Sequence, residues 1–116
     1  MEDRYLFRAK RKDNGEWTEG FLLKRWDGLW IFTIDEKFAD LIIPSTICQC
    51  TGYEGIYEKD IFRCEDEDYV IKWSNDSLRW EATSLETDVS VPLGDINPDY
   101  MVVIGNEIDN PELLEV

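Results

Sequence analysis

The residues of this sequence that could do chemistry lie close together, between positions 47 and 68. Thiolates and carboxylates in one stretch could bind zinc or calcium, and a thiol beside a base could act as a nucleophile. The stretch contains every cysteine of the chain and its densest acidic run: Cys48, Cys50, Cys64, Glu65, Asp66, Glu67 and Asp68.

The cysteines do not have the spacing of a zinc site. A structural zinc ion usually takes four Cys or His ligands, with two cysteines separated by two to four residues. This chain has three cysteines and no histidine, and only one residue separates Cys48 from Cys50. Two positions apart on a strand, both would face the same side, so we expect small buried residues, no metal and no cofactor.

The sequence also lacks the residues of the common catalytic sites. Histidine, the commonest general base, is absent, and so is every triad that contains it. A reactive cysteine needs a nearby base or cation, and the cation beside Cys64 is Arg63, which Glu65 offsets. We therefore predict that the protein is not an enzyme.

The acidic run does not have the pattern of a calcium loop. An EF-hand loop needs ligands at alternate positions, a central glycine and a distal glutamate, whereas here the four acids are consecutive. In an extended segment, half of them would point away from any one ion. We expect Glu65, Asp66, Glu67 and Asp68 to form a solvated connection between strands and to be the candidate partner-binding residues.

Charge is the strongest feature of the composition. The chain carries 26 acidic and 12 basic residues, a net charge of −14; residues 59–116 contribute −11 and residues 1–58 contribute −3. A protein that binds duplex DNA needs the opposite balance, so we expect no binding to duplex. Arg8, Lys10 and Lys12 would share one strand face, and we expect them to be a solvated strand end.

Length and hydropathy predict a single domain over residues 1–116. The apolar fraction is 43%, with five Trp, five Tyr and five Phe, which is enough for a core without disulfides or a metal. No apolar run approaches the ~20 residues of a membrane helix, and the charged N-terminus predicts no secretory signal. The expected location is the cytoplasm, where the cysteines stay free thiols.

Short apolar segments separated by turn residues predict a mostly-β fold. We expect a small barrel or sandwich of antiparallel strands, with a buried strand at 29–34 that is apolar on both faces. Asn14-Gly15 predicts a tight hairpin, and Asn110-Pro111 predicts a short C-terminal turn of helix. The predicted strands are residues 5–11, 17–23, 29–34, 46–51, 60–64, 69–73, 78–83 and 101–104.

The clearest hairpin is predicted between residues 69 and 83. Tyr69, Ile71 and Trp73 alternate along its first strand, and Trp80 and Ala82 along its second. This alternation predicts a pair of aromatic rings packed across the two strands. If the ring of Trp80 is buried, its replacement by alanine should cost about 3–5 kcal/mol.

Several segments together resemble the YopX family of phage and prophage proteins. They are IPSTICQCTG at 43–52, IYEKDI at 56–61, and VIGN at 103–106 followed by NPELL at 110–114. Their order and spacing match that family over about residues 4–114. Lys59 replaces a glycine of the family pattern, so the turn there should not need a glycine-only conformation, and the insert before Ile56 is short.

The resemblance implies a mostly-β protein of a phage or prophage, in the cytoplasm of a bacterial host cell, and it implies no activity. We therefore expect a non-catalytic interaction module that binds a basic host or phage protein. An acidic mimic of nucleic acid and a small barrel that binds single strands through exposed aromatics remain alternatives. So does a purely solubilising role for the charge. Self-association is also open.

Overall fold

A computed structural model describes residues 5–33 and 38–114 of the chain. In these residues the regular structure is strands and short 3₁₀ turns, so the predicted mostly-β fold is confirmed. The 3₁₀ turns are Pro44–Thr46, Leu93–Asp95, Pro98–Tyr100 and Pro111–Leu114. The strands are β1 (Phe7–Lys10), β2 (Trp17–Arg25), β3 (Gly28–Phe32), β4 (Ala39–Leu41), β5 (Cys48–Gln49), β6 (Asp60–Cys64), β7 (Glu67–Ser74), β8 (Arg79–Ser84), β9 (Ser90–Pro92) and β10 (Val102–Asn106).

The strands form two antiparallel five-stranded sheets, one in each of two compact units, Met1–Tyr57 and Glu58–Val116. The first sheet has the order β4-β3-β2-β1-β5, and the second has the order β10-β6-β7-β8-β9. Neither is a closed barrel within the described residues, because the order of each sheet ends in two different edge strands. The single domain expected from the chain length remains a prediction.

The first sheet curls around a small apolar core. Ala9, Ile31 and Ile42 are almost completely buried and pack together. The curl is visible in the backbone, because Ile42 pairs with Arg11 in an isolated bridge after the chain has left β4. The predicted turn at Asn14-Gly15 is present, and its glycine adopts φ 73.

The buried strand predicted at 29–34 is apolar on both faces but is buried on only one. In β3, Ile31 faces the core, whereas its neighbour Phe32 is exposed. The prediction was wrong for that second face, because an apolar run shows only that a strand could be buried on both sides. Ile34 lies outside the described residues.

The second sheet is built around β7, which pairs with β6 and β8. Ile61, Phe62, Val70, Ile71 and Ala82 are almost completely buried, and they lie on both faces of these three strands. Central strands that are covered on both faces exclude water from their ladder hydrogen bonds. Because these side chains are close-packed on both faces, a change of register would disrupt the packing.

The predicted aromatic pair of the β7–β8 hairpin is confirmed. Trp73 lies directly opposite Trp80, with ring centroids 5.2 Å apart and an interplanar angle of 74°. However, Trp73 is exposed and Trp80 is only half-buried, so the condition for a cost of 3–5 kcal/mol is not met. The rings stabilise each other on the surface, away from the buried part of the sheet.

Lys59 occupies a backbone position that suits glycine. Its φ is 72, in the left-handed region where an L side chain crowds the following carbonyl. Its amide donates to the carbonyl of Ile71 at 2.9 Å, so the conformation connects the turn to β7. The turn tolerates lysine, as expected, but it does so at a conformational cost.

Replacing Trp80 with alanine should destabilise the protein by about 1–2 kcal/mol, because only part of the ring leaves water on folding. A double-mutant cycle with Trp73→Ala should show a coupling of about 0.5–1.5 kcal/mol between the rings. Urea denaturation measures both quantities, and Val89→Ala, at an exposed loop position, is the control. A cost as large as 3–5 kcal/mol would show that the ring is buried.

The variant Lys59→Gly should be more stable than Lys59→Ala by about 1 kcal/mol, since only glycine adopts this φ without crowding. The two variants remove the same positive charge, so their difference isolates the backbone effect. Chemical denaturation of both proteins at the same pH measures it. Equal stabilities would mean that the residue does not adopt the left-handed conformation in solution.

Candidate functional site

The first two residues of the acidic run form the turn between β6 and β7. Glu65 and Asp66 have φ values of 57 and 105, and a two-residue hairpin turn with positive φ matches the twist of its strands. Both residues are exposed, and their side chains make no hydrogen bond or ion pair to the residues described. The expected solvated connection is therefore confirmed for these two.

Asp68, by contrast, is held by a cation. It lies opposite Arg63 in the ladder, and the guanidinium donates to its two carboxylate oxygens at 2.8 and 3.2 Å. Hydrogen bonding to Asp68 raises the pKa of Arg63. The charge of Asp68 is thus largely balanced within the sheet, and little of that charge is available to attract a partner.

Glu67 lies in β7 and is fixed by two hydroxyl groups. The Ser84 hydroxyl donates to one carboxylate oxygen at 2.6 Å, and the Tyr69 hydroxyl donates to the other at 2.8 Å. Because these two hydrogen bonds favour the ionised carboxylate, they lower the pKa of Glu67. The bond between Tyr69 and Glu67 also raises the pKa of the Tyr69 hydroxyl. This carboxylate is therefore kept charged and oriented.

A second turn brings another acid to the same end of the sheet. The chain turns again after β8, where Leu85 donates its amide to the carbonyl of Asp68 at 3.0 Å. The next residue, Glu86, is exposed and donates its amide to the Ser84 hydroxyl at 3.2 Å. A shallow depression results, lined by Cys64, Glu65, Asp66, Glu67, Tyr69 and Glu86.

We call Glu65, Asp66, Glu67 and Glu86 the acidic end of the second unit. Three of these residues come from the predicted run, and Glu86 was missed. Sequence reasoning treated residues 84–100 as a loop, and it therefore did not predict β9 at Ser90–Pro92. Recognising that short strand would have placed the 85–89 turn beside the β6–β7 turn, since alternate turns of a meander share one end of a sheet.

The three cysteines do not form one cluster, because they are divided between the two units. Cys48 and Cys50 are buried in the first unit, where their thiols donate to the carbonyls of Thr46 at 3.4 Å and Tyr53 at 3.5 Å. Cys64 belongs to the second unit and is partly exposed. In the described residues, no group of three or more His, Cys, Asp or Glu side chains could hold a metal ion.

The basic residues of β1 are packed on aromatic rings. The guanidinium of Arg8 lies 4.8 Å from the ring centroid of Trp17 and 4.6 Å from that of Tyr57, and the amine of Lys10 lies 5.5 Å from that of Trp17. The expectation of a solvated strand end was wrong for these two cations, because rings from later in the chain stack against them. Lys12 lies beyond the end of β1.

A different part of the first sheet presents large apolar side chains to solvent. The strand register pairs Phe21 with Phe32 and Leu23 with Trp30, so that all four lie on one face of the β2–β3 hairpin. We call these four residues the apolar face. Sequence reasoning did not predict this face, since the same residues would suit a buried strand.

Comparison with known proteins now adds to this geometry. The family described as YopX protein matches residues 6–115, which is nearly the whole chain. The chain belongs to the YopX family. No curated protein and no solved structure matches it.

Membership of the YopX family confirms the resemblance that the sequence motifs indicated. It assigns no activity to the acidic end or to the apolar face. Within the described residues, no helix is long and apolar enough to cross a membrane. The geometry of the two surfaces is therefore the basis for any functional proposal.

The variant Tyr69→Phe should raise the pKa of Glu67 towards its ordinary value, because it removes one donor to the carboxylate. A lowered folded-state pKa stabilises the fold above the unfolded pKa of about 4.3, and this contribution is lost as the pH falls through the folded pKa. The variant should thus lose stability against wild type near neutral pH, and the difference should shrink in acid.

Carboxyl NMR titration and urea denaturation at several pH values measure the two effects. Tyr100→Phe, which removes an exposed hydroxyl far along the chain, is the matched control. If the Glu67 pKa is the same in wild type and in Tyr69→Phe, the hydroxyl does not hold this carboxylate in solution.

Proposed function

We propose that this YopX-family protein is a non-catalytic interaction module, and that its acidic end binds a basic surface on a host or phage protein. The observation that supports the proposal is the convergence of Glu65, Asp66, Glu67 and Glu86 on one depression. The unit that contains them has 16 acidic and 4 basic residues, a net charge of −12. Such a field attracts a cationic partner before contact.

The acidic end is organised in a way that favours docking. Glu67 is held by two hydroxyl donors, and Glu65 and Asp66 lie on a turn that the β6–β7 ladder fixes on both sides. Carboxylates that are already positioned lose less conformational freedom when they meet lysine or arginine side chains. A partner would therefore find at least three anionic groups close together and partly preorganised.

Solubility is the competing explanation for the charge. A solubilising surface needs net charge, but it needs no particular arrangement of the acids. The exposed acids of this unit that lie on other turns serve that purpose equally well: Asp76, Asp88, Asp95, Asp99, Asp109 and Glu112. The two explanations therefore differ in one respect: docking at the acidic end predicts that binding of a basic partner depends on which acids are neutralised, and solubility does not.

A mimic of nucleic acid is less well supported. A mimic needs acids in rows that reproduce phosphate spacing over an extended face. In the second unit the exposed acids are distributed over separate turns, and the strand residues Asp68 and Glu81 are paired with Arg63 and Arg79. A local docking end agrees better with this distribution than an extended anionic face does.

The variant Glu65→Gln/Asp66→Asn/Glu86→Gln should lose the capture of a basic protein partner from host lysate, and it should associate with that partner more slowly at low salt. The substitutions preserve side-chain shape, and Asn tolerates the positive φ of position 66. Surface plasmon resonance with the captured partner measures the rate. The wild-type rate should fall steeply as salt rises, because exposed charges are screened.

The matched control is Asp76→Asn/Asp95→Asn/Asp99→Asn, which removes three exposed charges from the same unit. If position matters, the control should retain most of the association rate. Equal losses in the two variants would show that only net charge counts. A rate that is unchanged in the first variant, at every salt concentration, would remove the acidic end as the binding site.

A further inference from the structure

The apolar face presents aromatic rings to solvent on the β2–β3 hairpin. Phe21 and Phe32 pair across the hairpin and are 38% and 42% exposed. The next pair on that face is Leu23, which is 43% exposed, with Trp30. The two pairs are two residues apart along each strand, a distance of about 7 Å. Scattered exposed apolar residues are ordinary, but a contiguous set of this kind marks a binding surface.

Cations share this sheet face with the rings. In the β1–β2 ladder Arg8 lies opposite Glu19, and Lys10 lies opposite Trp17. Glu19 and Trp17 are two and four residues before Phe21 in β2, so all of these side chains project from one face. Glu19 is the only acid in the sequences of β1, β2 and β3. The apolar face thus continues into a basic part of the same sheet.

The segment that contains β1, β2 and β3 is basic within an acidic chain. Residues 7–32 contain 6 of the 12 basic residues and 4 of the 26 acidic residues, a net charge of +2, whereas the whole chain has −14. Opposite charge raises the local concentration of a ligand, so this surface suits an anion better than any other part of the chain does. The exposed rings favour an anion that also carries flat apolar groups.

Arg25 combines the two properties at the end of β2. Its guanidinium lies 5.2 Å from the ring centroid of Trp30, and its side chain is 47% exposed. Its Nε lies 3.9 Å from the carboxylate of Asp27, which is too long for a hydrogen bond. A guanidinium stacked on a ring keeps its N–H donors in its own plane, where a phosphate oxygen can accept from them. Arg25 is therefore placed to contact a phosphate beside the rings.

A depression of about 440 Å³ is lined by Trp30 and extends this surface. Its volume is in the range of clefts that hold small ligands. Lys12 lines it and is exposed, and its side chain makes no hydrogen bond or ion pair to the residues described. Asp13 and Asp40 also line it, and Arg11 lies 2.8 and 3.7 Å from their carboxylates. Arg11 partly balances these acids, and Lys12 adds a second cation to the depression.

We propose that the apolar face and this depression bind a short stretch of single-stranded nucleic acid. Single strands combine unstacked planar bases with a phosphate at every base, and the sites that bind them combine exposed rings with cations along the backbone. Sheets whose aromatic rings stack two or three bases are one common form of such a site. Here Phe21, Phe32 and Trp30 receive bases, and Arg25 and Lys12 contact phosphates.

Other anionic ligands match fewer of these features. Duplex nucleic acid keeps the faces of its bases stacked inside the helix, where the rings do not reach them. An acidic peptide supplies negative charge, but it does not bring a planar group with each charge. Single-stranded nucleic acid supplies both at every repeat, which is the combination that the face offers to bind.

Fluorescence anisotropy of a labelled oligothymidine, measured with the full chain, tests the proposal. A length of about 12 nucleotides covers a site of the usual size, about 4–16 nucleotides. Wild type should bind it saturably, with a dissociation constant of about 10⁻⁶–10⁻⁴ M, as expected for a site without sequence preference. An unlabelled duplex of the same length should not compete.

The variant Phe21→Thr/Phe32→Thr should raise the dissociation constant at least about fivefold, because each lost stacking contact weakens binding by that factor or more. Threonine keeps the strand preference and the charge of both positions. The matched control is Tyr100→Thr/Val102→Thr, which removes side chains of the second unit that are 66% and 62% exposed. It should bind like wild type, and far-ultraviolet circular dichroism checks the fold of both variants.

The variant Arg25→Gln should weaken binding, and it should reduce the slope of log affinity against log salt by about 0.7, the contribution of one phosphate contact on a single strand. Lys72→Gln, at an exposed position of the second unit, removes the same charge and should keep the wild-type slope. Arg25→Lys retains the charge and should recover most of the slope. These variants keep the test decisive if the double ring variant folds poorly.

The acidic end provides a test that separates this proposal from the proposed function. Glu65→Gln/Asp66→Asn/Glu86→Gln should bind oligothymidine at least as tightly as wild type, because acids repel phosphate. Phe21→Thr/Phe32→Thr should still capture a basic protein partner. Loss of oligothymidine binding in the acidic-end variant would contradict the single-strand site, whatever the outcome for the basic partner.

The proposal is overturned if wild type does not bind the single strand at about 10⁻⁴ M protein, the weak end of non-specific affinities. It is also overturned if duplex competes as well as single strand, or if the ring variant and its control lose affinity equally. A wild-type dimer in analytical ultracentrifugation that Phe21→Thr/Phe32→Thr dissociates, without any binding of oligothymidine, would overturn it as well. In that case the face binds a second copy of the chain.

Discussion

The register of β7 between β6 and β8 is the constraint on which the acidic end depends. Val70 and Ile71 are buried on opposite faces of β7, and a slip of one residue would move each of them to the other face, where it would no longer fit its close-packed neighbours. This register places Asp68 opposite Arg63 and brings Glu67 to the hydroxyl of Ser84. Four consecutive acids thus acquire three different environments: an exposed turn, a carboxylate held between hydroxyl donors, and an ion pair. Their chemistry is set by the strand core and not by their sequence order.

Local sequence patterns predicted the elements whose signals are themselves local. The alternation in residues 69–83 led to the hairpin and to the Trp73–Trp80 pair, and Asn14-Gly15 identified a turn because these residues tolerate positive φ. Glu65-Asp66 forms an equally tight turn without an Asn-Gly pair, so the geometry of this turn was not predicted. The strands β4 and β9 have three residues each, too few for a period of two to stand out. Glu86 joins the acidic end only through β9, which explains why it was missed.

The apolar face shows a second limit of sequence reasoning. Phe32 and its neighbour Ile31 have the same character in the sequence, yet one is exposed and the other is completely buried. Which face of a strand is covered depends on the curl of the first sheet, and that curl rests on contacts such as the bridge between Arg11 and Ile42, which are far apart in the chain. Likewise, the rings of Trp17 and Tyr57 that cover Arg8 come from other segments. Composition gave the net charge of these regions, but not which cations remain in water.

The chain has its large acidic excess in the second unit and its apolar face in the first. Exposed aromatic patches normally carry a risk of indiscriminate aggregation. Here every copy carries −14, and like charge on every copy opposes such encounters. Net charge of this size keeps copies apart in solution, at a cost in folding stability through self-repulsion. The acidic excess therefore offsets the risk of aggregation that the exposed side chains of Phe21 and Phe32 carry.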